Sequence, residues 1–208
     1  MTDAPGRSDL SGRSDLSGRS DLSGRFGRPG ADDVWDWYRF CPGCGNPPRS
    51  VGQRPFRCEH CGFANFFGPV AAVGALIVDD HDRLLMVRRA NDPGQGLWGL
   101  PGGFVDPNES IETALRREVR EETRLELDAF DYLMSRPNDY NYRGIVAPVI
   151  DLFYVARAVD PASIHLEKIE LTEHVWTSDP AEQLDHMAFP SNATAVRHWM
   201  TTQSGNQA

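Results

Sequence analysis

The sequence contains no apolar run approaching the length of a membrane span, and its first residues lack the apolar stretch of a secretory signal. Both absences make the cytoplasm the expected location, with no membrane partner. An excess of basic residues is missing too: 30 Asp and Glu against 21 Lys and Arg leave a net charge of -9. Such a chain exerts no long-range pull on a nucleic-acid backbone, so nucleic acid is not an expected partner. A polyanionic small molecule must then be held by metal ions or by a few placed arginines. Cysteine is scarce, and all four fall into two Cys-x-x-Cys pairs, a pattern that reads as metal binding before disulfides in a reducing compartment. With 40% hydrophobic and 25% charged residues over 208 positions, the composition suits one ordinary domain and a small appendage. A homodimer is compatible with these numbers but not required by them.

Residues 6–23 are three copies of Gly-Arg-Ser-Asp-Leu-Ser, each with one Leu and with charges that cancel. So little apolar surface cannot offset the entropy of ordering, which predicts a disordered tail over residues 1–33. Trp35, Trp37 and Tyr38 then lead into Cys41-Pro-Gly-Cys44-Gly45 and Cys58-Glu-His-Cys61-Gly62. A Gly after each pair lets the backbone turn tightly, so that two sulfurs from each knuckle converge. Residues 34–66 are therefore expected to form a zinc ribbon on Cys41, Cys44, Cys58 and Cys61. Four sulfurs close a tetrahedral site, which makes the Zn²⁺ structural and leaves His60 outside it.

From Pro69 the pattern changes. Val70–Val78 reads as a buried strand, residues 79–82 as a turn with a solvated His81, and residues 83–88 as its hairpin partner. Further strands are expected over residues 130–134, 146–156 and 169–176, with a polar, tyrosine-rich loop at 138–144. A helix capped by Ser191 runs through Ala193, Ala195, Val196 and Trp199. Strands, one helix, more strands and a terminal helix make an α/β fold.

The stretch Gly103–Leu125 carries the chemistry. From Ser110 to Thr123 it is free of Gly and Pro and sets Ile111, Ala114, Leu115 and Val119 on one helical face. That face begins apolar and continues into Glu118 and Glu122, with Glu121 on its flank. Like charges crowded away from water need a cation, and oxygen-only ligands suit Mg²⁺ or Mn²⁺. The competing reading is a solvated face paired with Arg116, Arg117 and Arg120.

The positions Gly103, Glu109, Arg117, Glu118, Val119, Glu121, Glu122 and Leu125 resemble the Nudix box, with Arg124 where that motif has Gly. The resemblance implies a Nudix-type α/β/α sandwich with a mixed sheet over residues 67–204. It implies hydrolysis of a nucleoside diphosphate derivative, with Glu118, Glu121 and Glu122 holding the metal and Arg117 orienting them. Gly103 would let the backbone approach metal and phosphates, and Glu109 would help fix the loop or the helix start. Glu118 is the first choice of general base, and Asp106, Glu170 and Glu173 are eligible by type. Arg88 and Arg89 are candidate phosphate contacts, but strand alternation sends them to opposite faces. Tyr140 and Tyr142 are candidate ring platforms and Arg143 a candidate phosphate partner. The ribbon resembles the one in NADH pyrophosphatase-like and FAD or ADP-ribose pyrophosphatase-like members. The Ser-Gln-Pro-Trp-Pro-Phe-Pro run of the NADH-cleaving members is missing, which favours FAD or ADP-ribose. The alternatives are a nucleoside triphosphate pyrophosphohydrolase and a non-catalytic nucleotide sensor or nucleic-acid adaptor. Intact glutamates argue against a pure sensor.

Overall fold

A computed structural model of the chain describes residues 33–205, so the repeat tail expected at 1–33 lies outside the described residues apart from Asp33. The cysteine-bearing segment opens with a 3-10 turn at Val34–Trp37 and holds a two-residue hairpin, β1 (Phe56–Arg57) with β2 (Ala64–Asn65). Phe56, Cys41 and Cys58 form its small core, with Tyr38, Phe63 and Phe67 packed around them. Tyr38 meets the Phe67 ring edge-on at 4.7 Å, and its hydroxyl accepts from the Asn65 amide at 3.0 Å.

The main sheet is built around β3 (Val70–Val78), a run of small and β-branched residues buried from Ala72 onward. It lies parallel to β7 (Ile145–Ala158) over its whole length, from Val70 opposite Val149 to Val78 opposite Arg157. β7 in turn pairs antiparallel with β6 (Leu127–Tyr142). The hairpin expected between β3 and β4 (Leu84–Arg89) is a single pair, Val78 with Leu84. One edge of β4 is taken whole by β8 (Leu171–Thr177), and the other passes from Leu84 on β3 to β5 (Trp98–Gly99). The edge of β3 that β4 leaves open is taken by residues 101–105. Val73 N–H donates to Gly103 O at 2.9 Å, Ala75 N–H to Pro101 O at 2.8 Å, and Val105 N–H to Ala71 O at 3.0 Å. The adjacent glycines Gly102 and Gly103 are thereby fastened to the centre of the sheet.

Alternation along β3 supplies two cores. Val73, Ala75 and Ile77 pack with Leu115 and Val119 of α1 (Ile111–Thr123). Leu76 and Val78 pack with Val196 and Trp199 of α3 (Pro190–Gly205), which follows the short α2 (Ala181–Leu184). Helix, mixed sheet and helix make an α/β/α sandwich. Among the described residues no helix is long and apolar enough to cross a membrane.

Two local expectations are corrected. Residues 138–142 are not a loop: they pair in register with Val149–Ile145, and only Arg143 and Gly144, at φ 53° and 81°, form the turn. Positive φ at both turn positions matches the twist of the flanking strands, so the Arg-Gly pair is the true turn signal. Ser191 is not an N-cap either. The helix begins at Pro190, where the fixed φ of proline suits a first helical position, and the Ser191 hydroxyl donates instead to Asp151 Oδ2 at 2.5 Å. At the end of α1, Arg124 takes the left-handed conformation, φ 62° and ψ 6°, and its N–H donates to Arg120 O at 3.0 Å. The turn forms without glycine at a cost of about 1 kcal/mol.

Gly102 sits at φ 147°, and a Cβ there would stand 2.1 Å from Val73 O and 2.9 Å from Gly74 Cα. Gly102→Ala is expected to lower stability in urea by roughly 2 kcal/mol or more. Gly96→Ala, at φ 77° with nothing within 4 Å, is expected to cost only about 1 kcal/mol. Equal losses at the two positions would contradict the close approach of this loop to β3.

Candidate active site

Ser110 caps α1, its hydroxyl accepting from Thr113 N–H at 3.2 Å, and the helix then carries its apolar stripe into the sheet and its acidic end into a cleft. Glu122 is 6% exposed and the Glu118 side chain 14%, whereas the Glu121 side chain is 58% exposed. Glu122 Oε2 accepts the Gly102 N–H at 2.9 Å. Gly103 acts differently, since a Cβ on it would lie 2.6 Å from the Glu118 carboxyl carbon. Its missing side chain makes room for that carboxylate.

Arg117 braces the group. Its Nε and Nη2 donate to the two oxygens of Glu109 at 2.9 and 2.8 Å, and Nη2 also donates to Phe104 O at 3.0 Å. Nη1 reaches Glu118 Oε1 at 2.8 Å and Glu121 Oε2 at 3.2 Å. One guanidinium thus ties residues 104–109 to the helix and holds two carboxylates in place. Hydrogen bonds from Arg117 hold Glu109 below the usual carboxylate range.

Glu118 and Glu122 are shifted the other way. Burial raises both, and Glu122 reaches about 8, with Glu118 and Glu170 adding repulsion against the pull of the Gly102 N–H and Arg89. Arg117 touches Glu118 but makes no contact with Glu122. Two inward carboxylates short of positive charge fit a hard divalent cation held by Glu118 and Glu122, with exposed Glu121 beside them.

The cleft encloses about 320 Å³. Its lining includes Gly103, Glu118, Glu122, Arg89 and Tyr140 among the residues expected from sequence, together with Asp106 and Glu170. Arg89 donates from Nε to Pro93 O at 2.8 Å and lies 5.1 Å over the Phe189 ring. Arg88 points elsewhere: it pairs with Glu173 at 3.2 Å and lies 4.6 Å over Trp98. Tyr140 packs edge-on to Phe104 at 5.1 Å and against Phe189 at 6.1 Å. Tyr142 and Arg143 lie at the hairpin tip, outside the cleft, with the Arg143 guanidinium 5.2 Å over the Tyr142 ring. Gly102, Asn138, Asp151 and Asn192 line the cleft without having been singled out in the sequence. Of these, Asp151 had a visible signal, as the single acid in the apolar run 145–158.

The four cysteines are free thiols whose sulfurs all lie within 4.8 Å of one another, with Cys41–Cys61 and Cys44–Cys58 each at 3.6 Å. Gly45 and Gly62, at φ 75° and 77°, return their N–H groups to Cys41 O and Cys58 O. A tetrahedron of sulfurs about 2.3 Å from Zn²⁺ has edges of about 3.8 Å, so the cluster fits zinc. Hydrogen bonds from Asn46 lower Cys44 to about 6. Cys61, although the Phe63 backbone N–H favours its thiolate, is pushed up to about 12 by the neighbouring thiols.

The family profile of the NUDIX domain matches residues 68–200, and the chain belongs to the Nudix family. It is 31% identical over 117 residues to the NAD-capped RNA hydrolase NudC of Edwardsiella ictaluri, covering 55% of this chain and 44% of that one. It is 42% identical over 60 residues to the ADP-ribose pyrophosphatase of Methanocaldococcus jannaschii, covering 29% and 35% respectively. In structure it is similar to the NUDIX domain of Shewanella oneidensis NrtR complexed with ADP ribose, with a TM-score of 0.52 and 25% identity over 64% of this chain and 89% of that one. The chain spans about a third to a half of the length of the curated relatives it matches.

Because the folded state raises the Glu122 pKa, this group favours folding below about 4.5, its unfolded value, and that contribution is lost as pH rises toward about 8. Protein free of added divalent cation should therefore lose stability over this window. Glu122→Gln should remove much of the loss and be the more stable protein at pH 8 by on the order of 4 kcal/mol at most. Thermal melts across pH decide it, and parallel profiles for the two proteins would contradict the assigned burial.

Proposed function

We propose that this chain is a divalent-metal-dependent pyrophosphohydrolase that cleaves the diphosphate of a dinucleotide-type substrate such as FAD or ADP-ribose. The observation that carries this is the convergence of Glu118 and Glu122, crowded and short of compensating charge, with the glycine pair and Arg89 in one cleft. Mg²⁺ or Mn²⁺ bound at Glu118, Glu121 and Glu122 would neutralise phosphate charge and lower the pKa of attacking water. The chain's own groups do the rest. Arg117 fixes the carboxylates, Arg89 offers a cation to the phosphates, and the Gly102–Gly103 backbone permits close approach. Glu118 takes the proton of the attacking water at a carboxylate oxygen, since burial lifts it toward the working range. Asp106 and Glu170 share the cleft, whereas Glu173 is held by Arg88 outside it.

Hydrolysis adds one water across the anhydride and yields two monophosphates. The relatives' names include NAD-capped RNA and ADP-ribose, both built on a nucleoside diphosphate, which supports the substrate class. The missing proline-rich run weighs against NADH, and the net charge of -9 weighs against a nucleic-acid partner, against which stands the NAD-capped RNA in the relatives' names. Zn²⁺ on the four cysteines is structural in this reading, residues 34–66 forming the ribbon and 67–204 the hydrolase domain. Four reduced thiols fit the cytoplasm.

Chromatography of products from FAD, ADP-ribose, NADH and ATP tests the reaction. AMP with FMN or ribose 5-phosphate is expected, and a monophosphate with inorganic pyrophosphate from ATP as the main reaction would contradict it. Glu122→Gln should cut turnover by about 10²-fold or more with its fold intact. Metal analysis of protein purified without chelator should give one zinc per chain. Cys44→Ser should lower the melting of the cysteine-bearing segment far more than it alters turnover, and four titratable thiols without zinc would contradict the ribbon.

A further inference from the structure

The cleft continues past the glutamates onto the face of the sheet covered by the start of α3. Val149, Asp151 and Phe153 alternate onto this face of β7, beside Asn138 and Tyr140 of β6. Asp151 is 7% exposed and still lines the cleft. Its carboxylate accepts from the Ser191 hydroxyl at 2.5 Å and from the Asn138 amide. A carboxylate offers roughly four acceptor positions, so acceptor capacity is left for a ligand. Ala72 lies between Phe104 on one side and Asp151 on the other. Asp151 is thus two strand spacings, roughly 10 Å, from the loop that meets Glu118. That separation suits a diphosphate at the glutamates with a ribose and a base extending inward.

The walls there are the rings of Phe104, Tyr140 and Phe189, which pack on one another as an apolar wall with Arg89 over Phe189, and the amides of Asn138 and Asn192, which both donate and accept. A buried acceptor beside amide donors matches an edge carrying an amino group next to a ring nitrogen. We propose that the inner end of the cleft seats an adenine ring, with Asp151 accepting from its exocyclic amino group. This names the moiety recognised and rests on the pyrophosphohydrolase reading for the phosphate end. Hypoxanthine, which has a carbonyl in place of that amino group, sets two acceptor oxygens against each other, a mismatch that costs affinity in a buried site. If Asp151 served only to tie α3 to β7 through Ser191, its loss would lower stability without regard to the base.

The test is calorimetric binding of ADP-ribose and its inosine analogue to the full chain without added divalent cation, with turnover of both followed in parallel. Wild type is expected to bind the adenine form at least about tenfold more tightly. Asp151→Asn, close in shape, should erase that preference, and Asn138→Ala should narrow it. Equal affinities in wild type, a preference that survives Asp151→Asn, or binding of neither ligand overturns the proposal. Turnover without base preference would defeat the adenine subsite and leave the hydrolase. Preference without turnover would defeat the hydrolase and leave the subsite.

Discussion

Holding Glu118 and Glu122 together out of water is the constraint around which the described structure is arranged. Burial raises the pKa of both carboxyls, which lie a helical turn apart, and the nearly sealed Glu122 is raised further by the charges of Glu118 and Glu170. Three devices resist this. Arg117 spans Glu109, Glu118 and Glu121; Gly102 donates its N–H to Glu122; and Gly103 leaves the space that the Glu118 carboxylate occupies. Each device depends on residues 101–105 lying along β3, so the irregular pairing of β3 and β4 serves the site. A regular β3–β4 hairpin would cover the edge where the glycines are fastened.

The same logic separates the two clusters of candidate metal ligands. At the cysteines, four soft ligands converge in a small aromatic core, and tight turns at Gly45 and Gly62 close around them. At the glutamates, two largely buried carboxylates line an open cleft that leaves room for another molecule. A closed site suits stability and an open one suits chemistry.

The helix and its acidic end were legible because period 3.6 is a local signal: Ile111, Leu115 and Val119 fix the face, and Glu118 and Glu122 follow from it. β3 was legible for the same reason. What escaped were features set by distant partners. Residues 138–142 are polar enough to read as a loop, yet their backbone is paired throughout by β7. Ser191 carries a capping side chain, but Asp151, forty positions away, takes its hydroxyl. Gly102 is one of two adjacent glycines, and only the approach of Val73 separates its role from that of Gly103. Arg88 and Arg89 diverge as alternate strand positions must, whereas the remoteness of Tyr142 and Arg143 from the cleft depended on finding the hairpin tip.

The central claim is that the carboxylate crowding is relieved by a divalent cation. Titrating Mn²⁺ into the full chain at pH 6 and pH 8, with proton release recorded, tests it most directly. Because Glu122 titrates near pH 8 without the ion, binding should displace protons and be clearly tighter at pH 8 than at pH 6. Affinity equal at the two pH values, or no saturable binding at either, would contradict the account.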